Sequence, residues 1–116
     1  MNVTIVRLLL ALLLTVASCL AKDKPLLSEG FQKAGLSALI VVMNEDDPDS
    51  DRVKNAMDDA EAQQNNSSDE LMFSHLLIFE GMRRLQRPAA LRECKNDIES
   101  ALRLRKAIDL PKSCHY

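Results

Sequence analysis

The sequence predicts an all-α protein: a small bundle of about four helices behind an N-terminal export signal, with its C-terminal tail tied back by one disulfide. Three observations predict it. Apolar residues recur at three-to-four spacing in four segments, each bounded by residues that start or stop helices. Aromatic residues make up only 3% of the chain, with no Trp, so the core has to be built from Leu, Ile, Val, Met and Ala, a set suited to packing helix on helix. Cys94 and Cys114 bracket the last helical segment and the tail that follows it.

The chain opens with one basic residue, Arg7, then an apolar run from Leu8 to Val16, then the small-residue exit Ala17-Ser18-Cys19-Leu20-Ala21. That is the three-part form of a secretory signal peptide. The run is too short for a bilayer core of about 30 Å, which needs roughly 20 residues in a helix. Residues 1–21 are therefore expected to be the signal, and residues 22–116 a single mature domain beginning at Lys22. An alternative exit exists. Val16-Ala17-Ser18-Cys19 resembles the lipobox of bacterial lipoproteins, which implies a lipid anchor on Cys19 in a bacterial source. Either way Cys19 leaves the folding problem, removed with the signal or carrying lipid.

In the mature part, Ser28 is a plausible cap for a first helix reaching Asn44, with Phe31, Ala34, Leu36, Leu39, Ile40 and Met43 as its stripe. Gly30 and Gly35 weaken it, and Leu39 to Val42 alone could be a buried strand. No second strand-like run is present to pair with it, which favours helix. In the following acidic run, Asp47 can cap and Pro48 suits a first helical position, starting a second helix that extends to about Gln64. Its stripe of Val53, Ala56, Met57 and Ala60 is narrow, so it should touch the core along one edge.

Ser67 and Glu70 are spaced as a capping box ahead of the most apolar segment of the mature chain, Leu71 to Leu85. That third helix is expected to be the buried central element. Arg87-Pro88 breaks it and starts a fourth helix, on which Leu91, Cys94, Ile98, Ala101, Leu102 and Ile108 share a face. Leu110-Pro111 stops it.

In an oxidising compartment Cys94 and Cys114 are left to pair with each other. A helix unbroken from Cys94 to Asp109 would span about 22 Å, while five more residues reach about 17 Å fully extended. The bridge itself adds about 6 Å between Cα atoms. Closure would then require an almost straight return, so the helix should fray by about Lys106 and the tail fold back on the helix, burying Leu110 or Ile108.

The net charge is −2, but its distribution is uneven. Glu45 to Glu70 holds ten acids against Arg52 and Lys54, while Arg83 to Lys112 holds nine bases against four acids. Such halves either meet each other or face solvent separately, and a polarised surface can steer a charged partner. Nucleic acid is not the expected partner, because the basic half lacks interleaved aromatics and reader motifs.

Little in the chain points to catalysis. Asp47, Asp49 and Asp51 alternate as in a calcium loop, but Arg52 and Lys54 occupy positions that such a loop gives to Gly and an apolar residue. His75 falls on an apolar face, where a hydrogen-bonded core or boundary histidine is the ordinary role, and His115 is its only counterpart. No nucleophile elbow, zinc-protease pair or phosphate-binding glycine loop occurs. No cofactor or metal, and no enzymatic activity, is expected. Asn65 and Asn66 head overlapping N-glycosylation sequons, usable in a eukaryotic source.

The expected function is that of an exported protein that binds a protein partner, as an inhibitor, immunity-type factor, effector or signalling polypeptide. The alternative is a carrier of a small apolar ligand beside Met72, Phe73, Phe79 and Met82. An enzyme is third, and would need a cleft gathering His75 or His115 with acids.

Overall fold

The computed structural model describes residues 24–85 and 88–115. The signal segment, Cys19 and the start at Lys22 lie outside the described residues. Four helices follow one another: α1 (Glu29–Asn44), α2 (Asp51–Ala62), α3 (Ser67–Arg84) and α4 (Pro88–Arg103). All secondary structure among the described residues is helical, including Leu39 to Val42. None of these helices is long and apolar enough to cross a membrane.

Ser28 caps α1 as its sequence implied, accepting from the Phe31 N–H. The other two caps fall elsewhere than predicted. Ser50, not Asp47, caps α2, accepting from the Val53 N–H. Asp47 instead accepts the Asp49 N–H on Oδ1, forming a turn that carries Pro48 ahead of the helix. Asn66, not Ser67, caps α3 through the Asp69 N–H at 2.8 Å. Asn66 wins because its amide also donates to the Leu26 carbonyl. Ser67 therefore becomes the first helical residue.

The central element also differs from expectation. α3 carries many buried side chains, among them Met72, Phe73, Leu76, Phe79 and Met82. Yet α1 is the helix that packs against all three others, whereas α3 packs chiefly on α1 and α4. Gly35 explains how α1 does this. It is buried, and a Cβ added there would lie 3.1 Å from Leu102 Cδ2, so α1 and α4 approach where a side chain is missing. Leu77 and Leu85, within the apolar segment expected to be buried, are about half exposed at 48% and 52%.

The two α1 glycines should respond oppositely to substitution. A Cβ at Gly30 would meet only the tip of the flexible, exposed Gln63 side chain. Gly30→Ala is thus expected to stabilise by about 0.5 kcal/mol through backbone entropy. Gly35→Leu would have to displace the fully buried Leu102 and is expected to cost about 1–3 kcal/mol. Chemical denaturation of both variants checks the pair, and equal midpoints would contradict it.

α4 stops at Arg103, three residues before the expected fraying point at Lys106. The Lys106 N–H bonds the Ala101 carbonyl and the Arg105 N–H bonds the Leu102 carbonyl, with Arg105 at φ 54°. This is a Schellman ending, in which glycine usually takes the left-handed position. Arginine is kept there by what else it does. The Leu27 N–H donates to the Arg105 carbonyl, and Arg105 Nε donates back to the Leu27 carbonyl, both at 2.9 Å. Gln32 of α1 completes the ending by donating to the Leu102 and Arg103 carbonyls.

Beyond this turn the tail doubles back until Cys114 meets Cys94, with Cα atoms 4.8 Å apart. Both cysteines are fully buried. Ile108 is half-buried and packs on the core, while Leu110 stays 41% exposed.

Candidate functional site

The acidic and basic halves do not neutralise one another broadly. α2 packs on α1, and α4 packs on α1 and α3, so the two charged helices are connected through α1. One strap joins the halves: Arg84 pairs with Asp49 at 3.0 Å, and Arg83 donates to the Glu45 carbonyl at 2.7 Å. Elsewhere some bases find partners close by, while Arg92, Lys106 and Lys112 make no ion pair among the described residues. Lys95 and Arg103 flank Glu99 one turn away on either side, and Arg105 lies near Glu29. The hydrogen bond from Lys95, helped by the charges of Lys95 and Arg103, holds the Glu99 carboxyl below its ordinary pKa against an opposing desolvation cost.

The acidic half is left open. Asp46, Asp47, Asp51, Asp58, Asp59, Glu61 and Glu70 are exposed and make no ion pair among the described residues. A cleft of about 260 Å³ opens between α2 and α3 at this side. Its lining includes Val53, Met57, Phe73 and Leu77, with Asp58, Glu61 and Glu80 among the polar residues. A second groove, about 310 Å³, lies between α4 and the tail, lined by Ala101, Leu104, Ile108 and Pro111 among others.

The residues singled out by sequence are dispersed. Asp47 and Asp49 are spent on the turn before α2 and on Arg84. Among the described residues, no group of three or more His, Cys, Asp or Glu side chains is arranged to hold a metal ion. His75 is buried and its Nε2–H donates to the Ile108 carbonyl at 2.8 Å, which fixes the protonated ring nitrogen and pins the returning tail to α3. His115 is exposed and rests on the Lys112 carbonyl. Each histidine serves a different stretch of the tail. Met72, Phe79 and Met82 are fully buried in the core and do not line either cleft, whereas Phe73 reaches the α2–α3 cleft.

The paired sequons are inequivalent in space. Asn65 is exposed and its side chain makes no hydrogen bond among the described residues. Asn66 uses both ends of its amide, one on Leu26 and one on Asp69. A glycan on Nδ2 would crowd the bond from that nitrogen to the Leu26 carbonyl. Produced in a eukaryotic secretory host, the folded protein is expected to carry sugar on Asn65 and not on Asn66. Intact mass should then show the glycan lost in Asn65→Gln and kept in Asn66→Gln, and the reverse pattern would refute the assignment.

Sequence reasoning missed Asp69. It counted as one acid of the solvated run, but it is fully buried and accepts three hydrogen bonds: the Ser28 N–H at 3.0 Å, the Ser28 hydroxyl at 2.7 Å and the Asn65 N–H at 2.8 Å. One carboxylate thus gathers the beginnings of α1 and α3. Ser68 beside it is buried with its hydroxyl unpartnered. The only local signal was the run of polar residues at a helix start.

No family model, curated protein or solved structure matches the chain.

Proposed function

We propose that the mature domain acts outside the cytosol by binding a protein partner, in the manner of an inhibitor, immunity-type factor, effector or signalling polypeptide. One observation carries this reading: half of the described Lys and Arg residues are paired within the domain, while a contiguous set of exposed carboxylates on and around α2 has no ion partner among the described residues. Exposed carboxylates of one sign contribute little to folding, because surface pairs are worth at most about 1 kcal/mol. They do bias encounter with an oppositely charged surface. The disulfide supports the compartment, since such bonds persist where the environment is oxidising.

Two measurements test this. Intact mass of the protein from its native host should match a chain starting at Lys22 and lacking two hydrogens for the bridge. A chain starting at an acylated Cys19 would move the domain to a membrane surface. Cross-linking of the tagged domain in the extracytoplasmic fraction, followed by mass spectrometry, should yield a protein partner whose capture weakens with salt. Native mass spectrometry showing a stoichiometric small apolar ligand and no protein partner would replace the binding role with that of a carrier.

A further inference from the structure

We propose that the cleft between α2 and α3 receives a basic, amphipathic segment of the partner, anchored by an apolar side chain on Leu77 and Phe73 and held by carboxylates of α2. This rests on the protein-binding reading above and gives it a place and a chemistry.

The cleft exists because of a mismatch between two helices. The stripe of α2 contains two alanines, Ala56 and Ala60, and is satisfied by α1. α3 has a wider apolar surface, which turns Phe73 and, one turn later, Leu77 toward the α2 side. The α2 side chains that line the cleft, Val53, Lys54, Met57, Asp58 and Glu61, do not close over both of them. Phe73 is nearly buried at 8% exposure, but Leu77 is left at 48%. A half-exposed leucine next to an aromatic ring, with Val53 and Met57 opposite, forms an apolar floor open to water.

The rim selects what can cover it. Asp49, Asp58, Glu61 and Glu80 line the cleft against Lys54 and Arg84. Arg84 is already committed to Asp49 and Glu80 at 3.0 and 2.9 Å. That leaves Asp58 and Glu61, on one face of α2 a single turn apart, as unpaired acids beside the apolar floor, with Lys54 as the one uncommitted base. The four acids and two bases of the lining keep it net negative. An anionic lipid surface or nucleic acid would be repelled. The volume of about 260 Å³ falls below the usual range of small-molecule pockets, about 300–1,000 Å³, and suits an inserted side chain better than a whole ligand. A helix carrying an apolar anchor with Arg or Lys on the adjoining positions meets both demands, since helix-in-groove recognition reads anchors at three-to-four spacing. Arginine would serve best at a carboxylate rim because its planar fork can bond two oxygens.

The test uses three synthetic 16-residue helical peptides: one with Leu at i and i+4 flanked by Arg, one with Glu replacing Arg, and one with Ser replacing Leu. Each is titrated into the isotopically labelled, disulfide-intact mature domain at low salt. The Arg/Leu peptide is expected to shift the amide signals of Val53, Met57, Phe73 and Leu77, and to bind at least tenfold more tightly than either control. The double variant Asp58→Lys/Glu61→Lys should weaken it by tenfold or more, and Leu77→Ser should do the same. All three positions are exposed, so folding should survive, and an unchanged thermal melt will verify this. Equal affinity for the Glu peptide, shifts confined to the α4–tail groove, or no binding at millimolar peptide would overturn the proposal. Cross-linked capture of a native protein partner that persists unchanged when Asp58→Lys, Glu61→Lys and Leu77→Ser are combined would also overturn it, while leaving the general protein-binding reading standing. Loss of that capture alongside loss of peptide binding supports both.

Discussion

Breaking the Cys94–Cys114 bridge is expected to lower stability by about 3 kcal/mol, the entropy of closing a loop of 20 residues in the unfolded chain. For a domain of this size that corresponds to a fall in Tm on the order of 15 °C. Cys94→Ala/Cys114→Ala is the appropriate variant, because serines would place two hydroxyls at fully buried positions. The loss should be uneven along the tail. Residues 105–108 keep the Leu27–Arg105 bonds and the His75 bond to Ile108, whereas residues 110–115 retain only the Ser113–Asp97 contact and local turns. Hydrogen exchange on the double variant should show increased opening of the amide at position 114 with the Leu27 amide still protected. A denaturation midpoint indifferent to reductant, or free thiols on both cysteines in the native protein, would sink this prediction.

Asp69→Ala is expected to cost about 2–4 kcal/mol, with Asp69→Asn nearly as damaging. The carboxylate has no access to water and accepts from three donors, so its removal strands the Ser28 and Asn65 N–H groups at two helix starts. Each unsatisfied buried donor costs roughly 1–3 kcal/mol. Asparagine preserves the shape but replaces one acceptor oxygen with a donor that would face the donors on Asp69. The effect should also be shared: because Ser28 is both a partner of Asp69 and the cap of α1, Ser28→Ala and Asp69→Ala should combine less than additively. A double-mutant cycle by chemical denaturation measures this. Full additivity, or an Asp69→Asn variant within 0.5 kcal/mol of the parent, would be incompatible with the observed geometry.

Asp69 also marks the limit of what the chain discloses before it folds. The four helices were legible because apolar spacing is a property of neighbours along the chain, and so was the bridge, once Cys19 was assigned to the export signal. Helix starts were less legible. Asp47 and Ser50 are both good caps, as are Asn66 and Ser67, and the choice was made by the Asx turn around Pro48 and by the Leu26 carbonyl, 40 residues away from Asn66. The role of Asp69 depends on Ser28, 41 residues earlier, and no local pattern separates it from solvated acids. Gly35 was misjudged for a similar reason. A glycine in a helix weakens it when considered alone, and only contact with Leu102 shows what the missing side chain permits. The α2–α3 cleft was least legible of all, since it arises from a difference in stripe width between two helices that are each regular.

The seating of Gln32 and Gly35 against Leu102 has a consequence for when the domain can form. Gln32 bonds a carbonyl 70 residues downstream, and Leu27 one still further along. α1 leaves a ribosome or a translocation pore first, and although α2 follows it closely, part of what covers it, α4 and the Arg105 turn, comes last. At 5–20 residues per second the interval is roughly 4–14 s. During it Phe31, Leu39 and Val42 have no complete shelter, so α1 stays available to chaperones. A chain threaded through a membrane N-terminus first can therefore reach the far side before it has the means to fold.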